Sequence, residues 1–323
     1  MRECSNGALG KVSVDRSIGT LGNARLGNAR LGNARPVAVV TAAVSRHLDL
    51  DIAPALAALS DLGISTRVLE WDDPTVVWSD FSLVLVRSPW DYSTRLAEYL
   101  EWIDRVDSES MLVNEAAVLR WSSDKHYLLD LEHAGVPIIP STFLHAGDAV
   151  VLPSSGEFVV KPSVSAGSRD TQRYRAGESD KGILHAERLL AQGRDVLIQP
   201  YIGSVDERGE TALVCFDGVV SHALRKGPIL SHGSAMRTVD GLYAVEDISA
   251  RSPTSEEVHV ADLVNAVIPS IGPPTYVRID LVQGDGGEIL VLEVEANEPS
   301  LFLDLAPGAA EKYAAAISRR LRE

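Results

Sequence analysis

Arg278 and Asp280 sit two residues apart in Tyr276-Val277-Arg278-Ile279-Asp280, and Glu293, Glu295 and Asn297 repeat that spacing further on. In an extended strand, side chains at i, i+2 and i+4 share a face. If the two stretches pair so that these faces coincide, carboxylates, an amide oxygen and a guanidinium converge. Oxygen donors without His or Cys make a hard site, suited to Mg2+ carrying nucleotide phosphates. Arg278 beside them fits an anionic reaction centre, which a guanidinium grips through paired hydrogen bonds. A solvated polar sheet face with an Arg–Glu cross-strand pair has the same pattern, so the hairpin alone leaves both readings open.

A second group lies upstream. Lys161 ends the apolar run Glu157-Phe158-Val159-Val160-Lys161-Pro162 and is followed by Ser163-Val164-Ser165-Ala166-Gly167-Ser168. Small residues let backbone N–H groups and hydroxyls approach phosphates closely, and the lysine supplies a point charge. The competing reading is a surface loop behind an ordinary strand-end lysine. Lys125 is a further candidate phosphate ligand, although a lone helical lysine is ordinarily solvated. Gln199-Pro200-Tyr201-Ile202 can offer hinge backbone to an adenine, and Glu210 a carboxylate to a ribose. The eight histidines show no H-x-x-x-H spacing, which argues against zinc. Cys215, between Val214 and Phe216, reads as inert core, and no G-x-S-x-G supports a hydrolase elbow.

The elements that must position these residues change character along the chain. Val37–Thr41 is a continuous apolar run, the mark of a buried parallel strand. A helix at 52–62, strands at 65–71 and 81–87, and a helix at 94–106 predict a parallel α/β layer over 36–120. Thr41-Ala42-Ala43-Val44-Ser45 stands where a dinucleotide fold would carry G-x-G-x-x-G, so that site is excluded. From Asp124 the pattern predicts a helix at 124–134, strands at 141–144 and 157–161, a helix at 181–192 and a strand at 195–199. Next come a hairpin of 211–216 with 219–224 around Asp217-Gly218, a helix at 255–267, a hairpin of 275–282 with 288–296, and a helix at 309–322. This part is α+β with mainly antiparallel strands.

Composition bounds the function. The 323 residues, 45% hydrophobic, suffice for one large or two to three small domains. Residues 1–35 hold six basic and two acidic residues, a net of +4, so the net of −15 leaves 36–323 at −19. So acidic a body excludes nucleic acid and anionic membranes as partners. Cys4 and Cys215 cannot make a disulfide framework. No apolar run reaches the roughly 20 residues of a membrane helix, and no signal-peptide core is present. The expectation is a cytoplasmic enzyme of small molecules; a homodimer is compatible with everything read so far. Leu-Gly-Asn-Ala-Arg repeats three times over 21–35 with no aromatic residue, a stretch too poor in apolar surface to order itself. It reads as a disordered or non-native tail, with a basic tether as the alternative, and deleting 2–35 is expected to leave activity intact.

The order of Asp124-Lys125, Val160-Lys161-Pro162, the Ser-Ala-Gly-Ser loop, Gln199-Pro200-Tyr201-Ile202, Gly209-Glu210, Arg278-Ile279-Asp280 and Glu295-Ala296-Asn297 resembles the ATP-grasp superfamily. The resemblance implies ATP with Mg2+, two ions in number. Lys125, Lys161 and Ser165, Ala166, Gly167 and Ser168 would hold phosphates, the loop closing as a lid. Gln199, Tyr201 and Ile202 would flank adenine and Glu210 the ribose. Asp280, Glu295 and Asn297 would carry metal, with Glu293 and Glu298 as alternative carboxylates. Arg278, with Lys161 and Lys226, would be catalytic.

Val86-Arg87-Ser88-Pro89-Trp90-Asp91-Tyr92, Ser221-His222-Ala223-Leu224-Arg225-Lys226 and Glu298-Pro299-Ser300-Leu301-Phe302-Leu303 are more closely similar to the cycloserine-pathway cyclo-ligase group. That implies cyclisation of O-ureido-D-serine to D-cycloserine in antibiotic biosynthesis, on an amino-acid-like substrate near Arg87, Asp91, Tyr92, Arg225 and Arg278. The domains would be an N-terminal α/β (pre-ATP-grasp) part at 36–123 and two ATP-grasp subdomains, at 124–202 and 203–323. An intermolecular carboxylate–amine ligase, akin to D-alanine–D-alanine ligase or glutathione synthetase, and a non-catalytic nucleotide-binding regulator are the alternatives.

Overall fold

The run Val37–Thr41 is apolar on both faces, so both must be covered, and it forms β1 inside an all-parallel sheet. The sheet order is β2-β1-β3-β4, with β2 at Thr66–Glu70, β3 at Leu83–Ser88 and β4 at Leu112–Val113. The computed structural model describes residues 35–230, 247–269 and 272–323, with the backbone of 238–239 and 243–244. The Leu-Gly-Asn-Ala-Arg repeats, apart from Arg35, lie outside the described residues.

Helix α1 (Ile52–Asp61) covers one face of this sheet. The other face carries α2 (Leu96–Glu109), whose Tyr99, Trp102, Ile103 and Val106 meet Trp71, Trp78 and Tyr92 in an aromatic core. A 3-10 turn at Trp90–Thr94 precedes α2, which starts at Leu96, two residues later than the helix read from sequence at 94–106. Helices α3 (Ala116–Ser122) and α4 (Tyr127–His133) follow. The helix expected over 124–134 is thus shorter. Asp124 Oδ1 accepts the His126 N–H at 3.1 Å, and Lys125 N–H goes to Ser163 O at 3.0 Å, so the backbone there turns rather than coils.

A second sheet is antiparallel, in the order β5-β8-β6-β7, with β5 at Thr142–Leu144, β6 at Phe158–Pro162, β7 at Gln172–Tyr174 and β8 at Val196–Pro200. Helix α5 (Ser179–Ala191) lies on it closely enough that a Cβ on Gly182 would sit 2.6 Å from the Phe158 ring, so only glycine fits there. After α6 (Val205–Arg208) comes a five-stranded antiparallel sheet in the order β13-β10-β9-β14-β15. Its strands are β9 (Glu210–Phe216), β10 (Val219–Lys226), β13 (Ile248–Arg251), β14 (Tyr276–Gln283) and β15 (Ile289–Glu295). Strands β11 (Thr238–Val239) and β12 (Tyr243–Ala244) pair only with each other among the described residues.

Helix α7 (Ser255–Val267) starts on a Thr254/Glu257 capping box and backs this sheet. Helix α8 (Ala309–Arg320) packs against α1, joining the first and third sheets in one core that includes Leu59, Tyr276, Tyr313 and Ile317. Residues 33–323 are one compact unit. No helix among the described residues is long and apolar enough to cross a membrane.

Candidate active site

The β14–β15 register puts Arg278 opposite Glu295 and Asp280 opposite Glu293, so the polar faces of the two strands coincide. Asp280 is 2% exposed. Its Oδ1 accepts from Arg278 Nε at 2.9 Å, and its Oδ2 from Arg278 Nη2 at 3.0 Å and Lys226 Nζ at 2.9 Å. Arg278 also pairs with Glu295. Lys226, at the end of β10, reaches Glu210 at 3.3 Å as well. Lys125 joins the hairpin from the turn before α4: its Nζ lies 2.9 Å from Glu293 Oε1 and 3.1 Å from both Ser165 O and Ser165 Oγ.

These groups form one wall of a cleft of about 1500 Å3, its open mouth included. The second sheet forms the facing wall, with Lys161 near the end of β6 opposite Leu197, Gln199 opposite Val159, and Tyr201 just past the end of β8. Apolar Ile139, Val159, Ile202, Val282 and Leu292 line a slot between the walls. Tyr201 carries the Arg173 guanidinium 3.4 Å from its ring centre and donates to Asp206 at 2.7 Å, while Gln199 donates to Ser141 at 2.9 Å. The 163–168 loop crosses above, its Val164 and Ala166 packed on the aromatic core of the first sheet. Gly167 and Ser168 take left-handed backbone, with φ of 62° and 58°, which turns the loop back toward the cleft.

The charges are strongly coupled through burial. Burial opposes ionisation of Asp280, but Arg278 and Lys226 outweigh it and hold the carboxyl below its usual range. Glu293 is lowered in the same way, by Lys125 and Lys161 against burial. Glu295 goes the other way, to about 7, because burial and repulsion from Glu293 and Asp280 exceed the pull of Arg278. Burial and the neighbouring Glu295 push Glu298 up to about 8. Burial and nearby Lys125 bring Lys161 down to about 8, with Glu293 resisting. Glu293 and Glu295 each use Oε1 in an ion pair, and both residues line the cleft. An all-oxygen set whose mutual repulsion keeps one member near neutrality fits a hard divalent cation, which would relieve that repulsion.

Of the residues named from the sequence or from the resemblance, Lys125, Lys161, Ser165 to Ser168, Gln199, Tyr201, Ile202, Glu210, Lys226, Arg278, Glu293, Glu295 and Tyr92 line the cleft. Five expected residues do not line it: Asp280 lies beneath the wall, bonded to Arg278 and Lys226, and four others lie elsewhere. Asn297 is buried away from the cleft, its Oδ1 accepting from Tyr99 at 2.9 Å and its Nδ2 donating to Leu119 O at 2.8 Å and Ser123 Oγ at 3.2 Å. Arg87 has no exposed surface and bonds Asp49 at 3.2 Å, Asp51 at 3.3 Å and Pro299 O at 3.1 Å. Asp91 accepts from Trp71 Nε1 at 2.9 Å and Arg95 at 3.2 Å. Arg225 turns outward to Arg208 O at 2.7 Å and Asp247 at 3.8 Å.

Trp90, Ile229 and Leu230 line the cleft without any expectation attached to them. Trp90 belongs to the 86–92 stretch that carries the resemblance but has no role attached to it, and nothing marks the other two. On the outer side, His126, His145 and Asp195 bring ligand-type atoms within 4.8 Å of one another, although no sequence spacing announces them. Asp124 and Asp195 already bond the two Nδ1 atoms, at 2.7 and 3.0 Å.

Solved structures with little sequence in common share this architecture. D-alanine–D-alanine ligase from Bacillus anthracis, complexed with ATP, matches with a TM-score of 0.63 at 16% identity, over 90% of this chain and 98% of that one. The ATP-grasp ligase PsnB, complexed with minimal precursor, Mg and ADP, matches with 0.58 at 17%, over 89% and 98%. The fold is that of the ATP-grasp ligases. At closer range, the cycloserine biosynthesis protein DcsG of Streptomyces lavendulae is 39% identical over 302 residues, which cover 88% of this chain and 99% of that protein. The crystal structure of D-cycloserine synthetase DcsG matches with a TM-score of 0.80 at 38% identity, over 88% and 99%. Residues 37–114 match the family model described as D-cycloserine synthetase DcsG, N-terminal domain. The chain belongs to the D-cycloserine synthetase family.

Proposed function

We propose that the cleft binds ATP with Mg2+, activates the carboxylate of O-ureido-D-serine as an acyl phosphate, and closes a C–N bond within that molecule to form D-cycloserine. The observation that carries this reading is Lys161. Its ammonium faces the cleft at 6% exposure and has no hydrogen-bond or ion-pair partner among the described residues. A buried cation without a partner is costly. A polyphosphate supplies what is missing, and Lys125 and the small-residue loop stand ready on either side.

The adenine fits the apolar slot beside Tyr201 and Ile202, and Glu210 lies within the same wall. Mg2+ held by Glu293, Glu295 and Asp280 would neutralise charge on the transferred phosphoryl group. The substrate carboxylate oxygen attacks the γ-phosphorus, the β–γ bridging bond breaks, and ADP departs. The nitrogen bonded to the ureido oxygen then attacks the acyl carbon, phosphate leaves, and Arg278 steadies the oxyanion between these events. Intramolecular attack gains from proximity. The carbamoyl group departs, with water, as carbon dioxide and ammonia. The packed 163–168 loop keeps bulk water from the acyl phosphate.

Incubation with ATP, Mg2+ and O-ureido-D-serine alone tests this. The expected outcome is one ADP and one phosphate per cyclic product, identified by mass. ADP release that requires a second amine would make the protein an intermolecular ligase. No ADP with any carboxylate would remove the enzyme reading altogether.

A further inference from the structure

Five carboxylates face or underlie the cleft, and four of them are ion-paired. Asp280 pairs with Arg278 and Lys226, Glu210 with Lys226, Glu293 with Lys125, and Glu295 with Arg278. Glu298 is the exception. It lines the cleft at 8% exposure and is ion-paired to no Lys, Arg or His among the described residues. Its carboxylate has the Tyr92 hydroxyl as a hydrogen-bond partner, and its backbone oxygen accepts from Trp90 Nε1 at 3.2 Å. A buried carboxylate served only by a phenol lacks a counter-cation, and burial without one is strongly unfavourable.

We propose that Glu298 receives the α-ammonium group of the substrate; this rests on the ligase reading above. Position supports an organic cation over a metal ion. Glu298 lies beside Trp90 and Tyr92, aromatic walls that favour an ammonium, whereas a divalent ion demands several further oxygen ligands. The phosphate-binding lysines are instead paired with or close to Glu293.

Arg278, which faces the reacting carboxylate, donates from Nη1 to Ser300 O at 3.2 Å. Guanidinium and Glu298 are therefore joined through one short turn. An α-amino acid carries its carboxylate and ammonium on a single carbon, so one small ligand reaches both. The turn itself is anchored. Asp51 accepts the N–H groups of Leu301, Phe302 and Leu303 at 2.6, 3.2 and 2.7 Å, and Arg87 holds Pro299 O.

The test titrates O-ureido-D-serine, and its analogue lacking the α-amino group, into protein loaded with Mg2+ and a non-hydrolysable ATP analogue. Wild type is expected to prefer the amino compound by roughly 30- to 100-fold. In the isosteric Glu298→Gln variant, which keeps a partner for Tyr92, that preference collapses to within about threefold. Glu298→Asp, which retains the charge, recovers part of it. Equal binding of the two compounds by wild type, or an unchanged preference in Glu298→Gln, would overturn the proposal. So would a large loss of Mg2+ affinity in Glu298→Gln with the preference intact, because Glu298 would then be a metal ligand. The readout is binding, so the two readings fail separately: selective binding without ADP formation from true ATP sinks the ligase and spares the ammonium site.

Discussion

Lys161 gives the site a pH signature that can be worked out in advance. Its ammonium titrates near 8 because burial strips its water and Lys125 repels it. Below that pH it is charged and attracts phosphate; above it the charge is lost. ATP affinity measured by calorimetry should be level near pH 7 and fall up to about tenfold per unit once pH exceeds roughly 8. Lys161→Met should weaken binding and flatten the profile, and a wild-type profile level to pH 9.5 would remove Lys161 from the phosphate site. Glu295 has the opposite linkage. Its folded carboxyl titrates near 7, above its ordinary 4.5, so the stability it contributes is present below 4.5 and lost as pH rises through 7. At pH 8 its ionisation costs on the order of 1–3 kcal/mol. Glu295→Gln should therefore raise the melting temperature at pH 8, leave it little changed at pH 4, and abolish turnover. These residues were legible because strand periodicity places Arg278, Asp280, Glu293 and Glu295 on one face. Asn297 lies beyond the end of β15, where that periodicity no longer applies, and its amide turns inward to Tyr99. The partners of Arg87 lie 36, 38 and 212 residues away, and Asp91 is held by Trp71, 20 residues away, as well as by nearby Arg95; the long separations are ones at which sequence shows no pairing.

The cleft depends on how its turns are held as much as on its strands. Asp51, just before α1, satisfies three consecutive backbone N–H groups at 301–303 and pairs with the fully buried Arg87. Asp51 and Arg87 thus fix the turn that carries Glu298 and Ser300 into the site, a positioning role for Arg87, which the resemblance would set near substrate. Asp51→Ala leaves those donors without an acceptor and should cost roughly 3–5 kcal/mol in denaturant unfolding. In the folded fraction at low temperature, KM for the carboxylate substrate should rise while KM for ATP holds, because the lysines and the 163–168 loop do not depend on that turn. A KM rising for both substrates would instead mean general loosening of the fold. The unbroken apolar run of β1 and the periodic patterns of α5, α7 and the last hairpin were readable from sequence. Helix α3 with seven residues, β7 with three and β13 with four were not, because each spans too few turns or alternations to show a period. Ser122 and Ser123, residue types that often start helices, instead close α3: the Ser123 hydroxyl donates to Leu119 O at 2.6 Å.

Across the molecule, net charge and local charge point in opposite directions. A chain at −15 repels polyanions at long range, yet Lys125, Lys161, Lys226 and Arg278 meet at one cleft between the second and third sheets. Attraction for phosphate is therefore short-ranged there, set by burial rather than by the overall field. The basic surplus at the N-terminus lies, apart from Arg35, outside the described residues. β1 takes its register from Val37 onward, and the family model begins at that same residue. Some 88% of this chain accounts for 99% of the Streptomyces relative, so a relative of nearly the same fold lacks a counterpart for about an eighth of the present chain. Arg35 and Pro36 make the connection to the first sheet, through Ser79 O, Ser82 Oγ and Ser82 N. A protein starting at Arg35 keeps all of those bonds and every residue of the cleft. Its turnover should match the full chain within about twofold and its melting temperature within a degree or two, since substitutions and losses away from packed features rarely exceed about 0.5 kcal/mol. Kinetics and thermal unfolding of the two proteins side by side provide the check. A truncated protein that folds with unchanged stability but loses turnover would show that residues 1–34 act on the site.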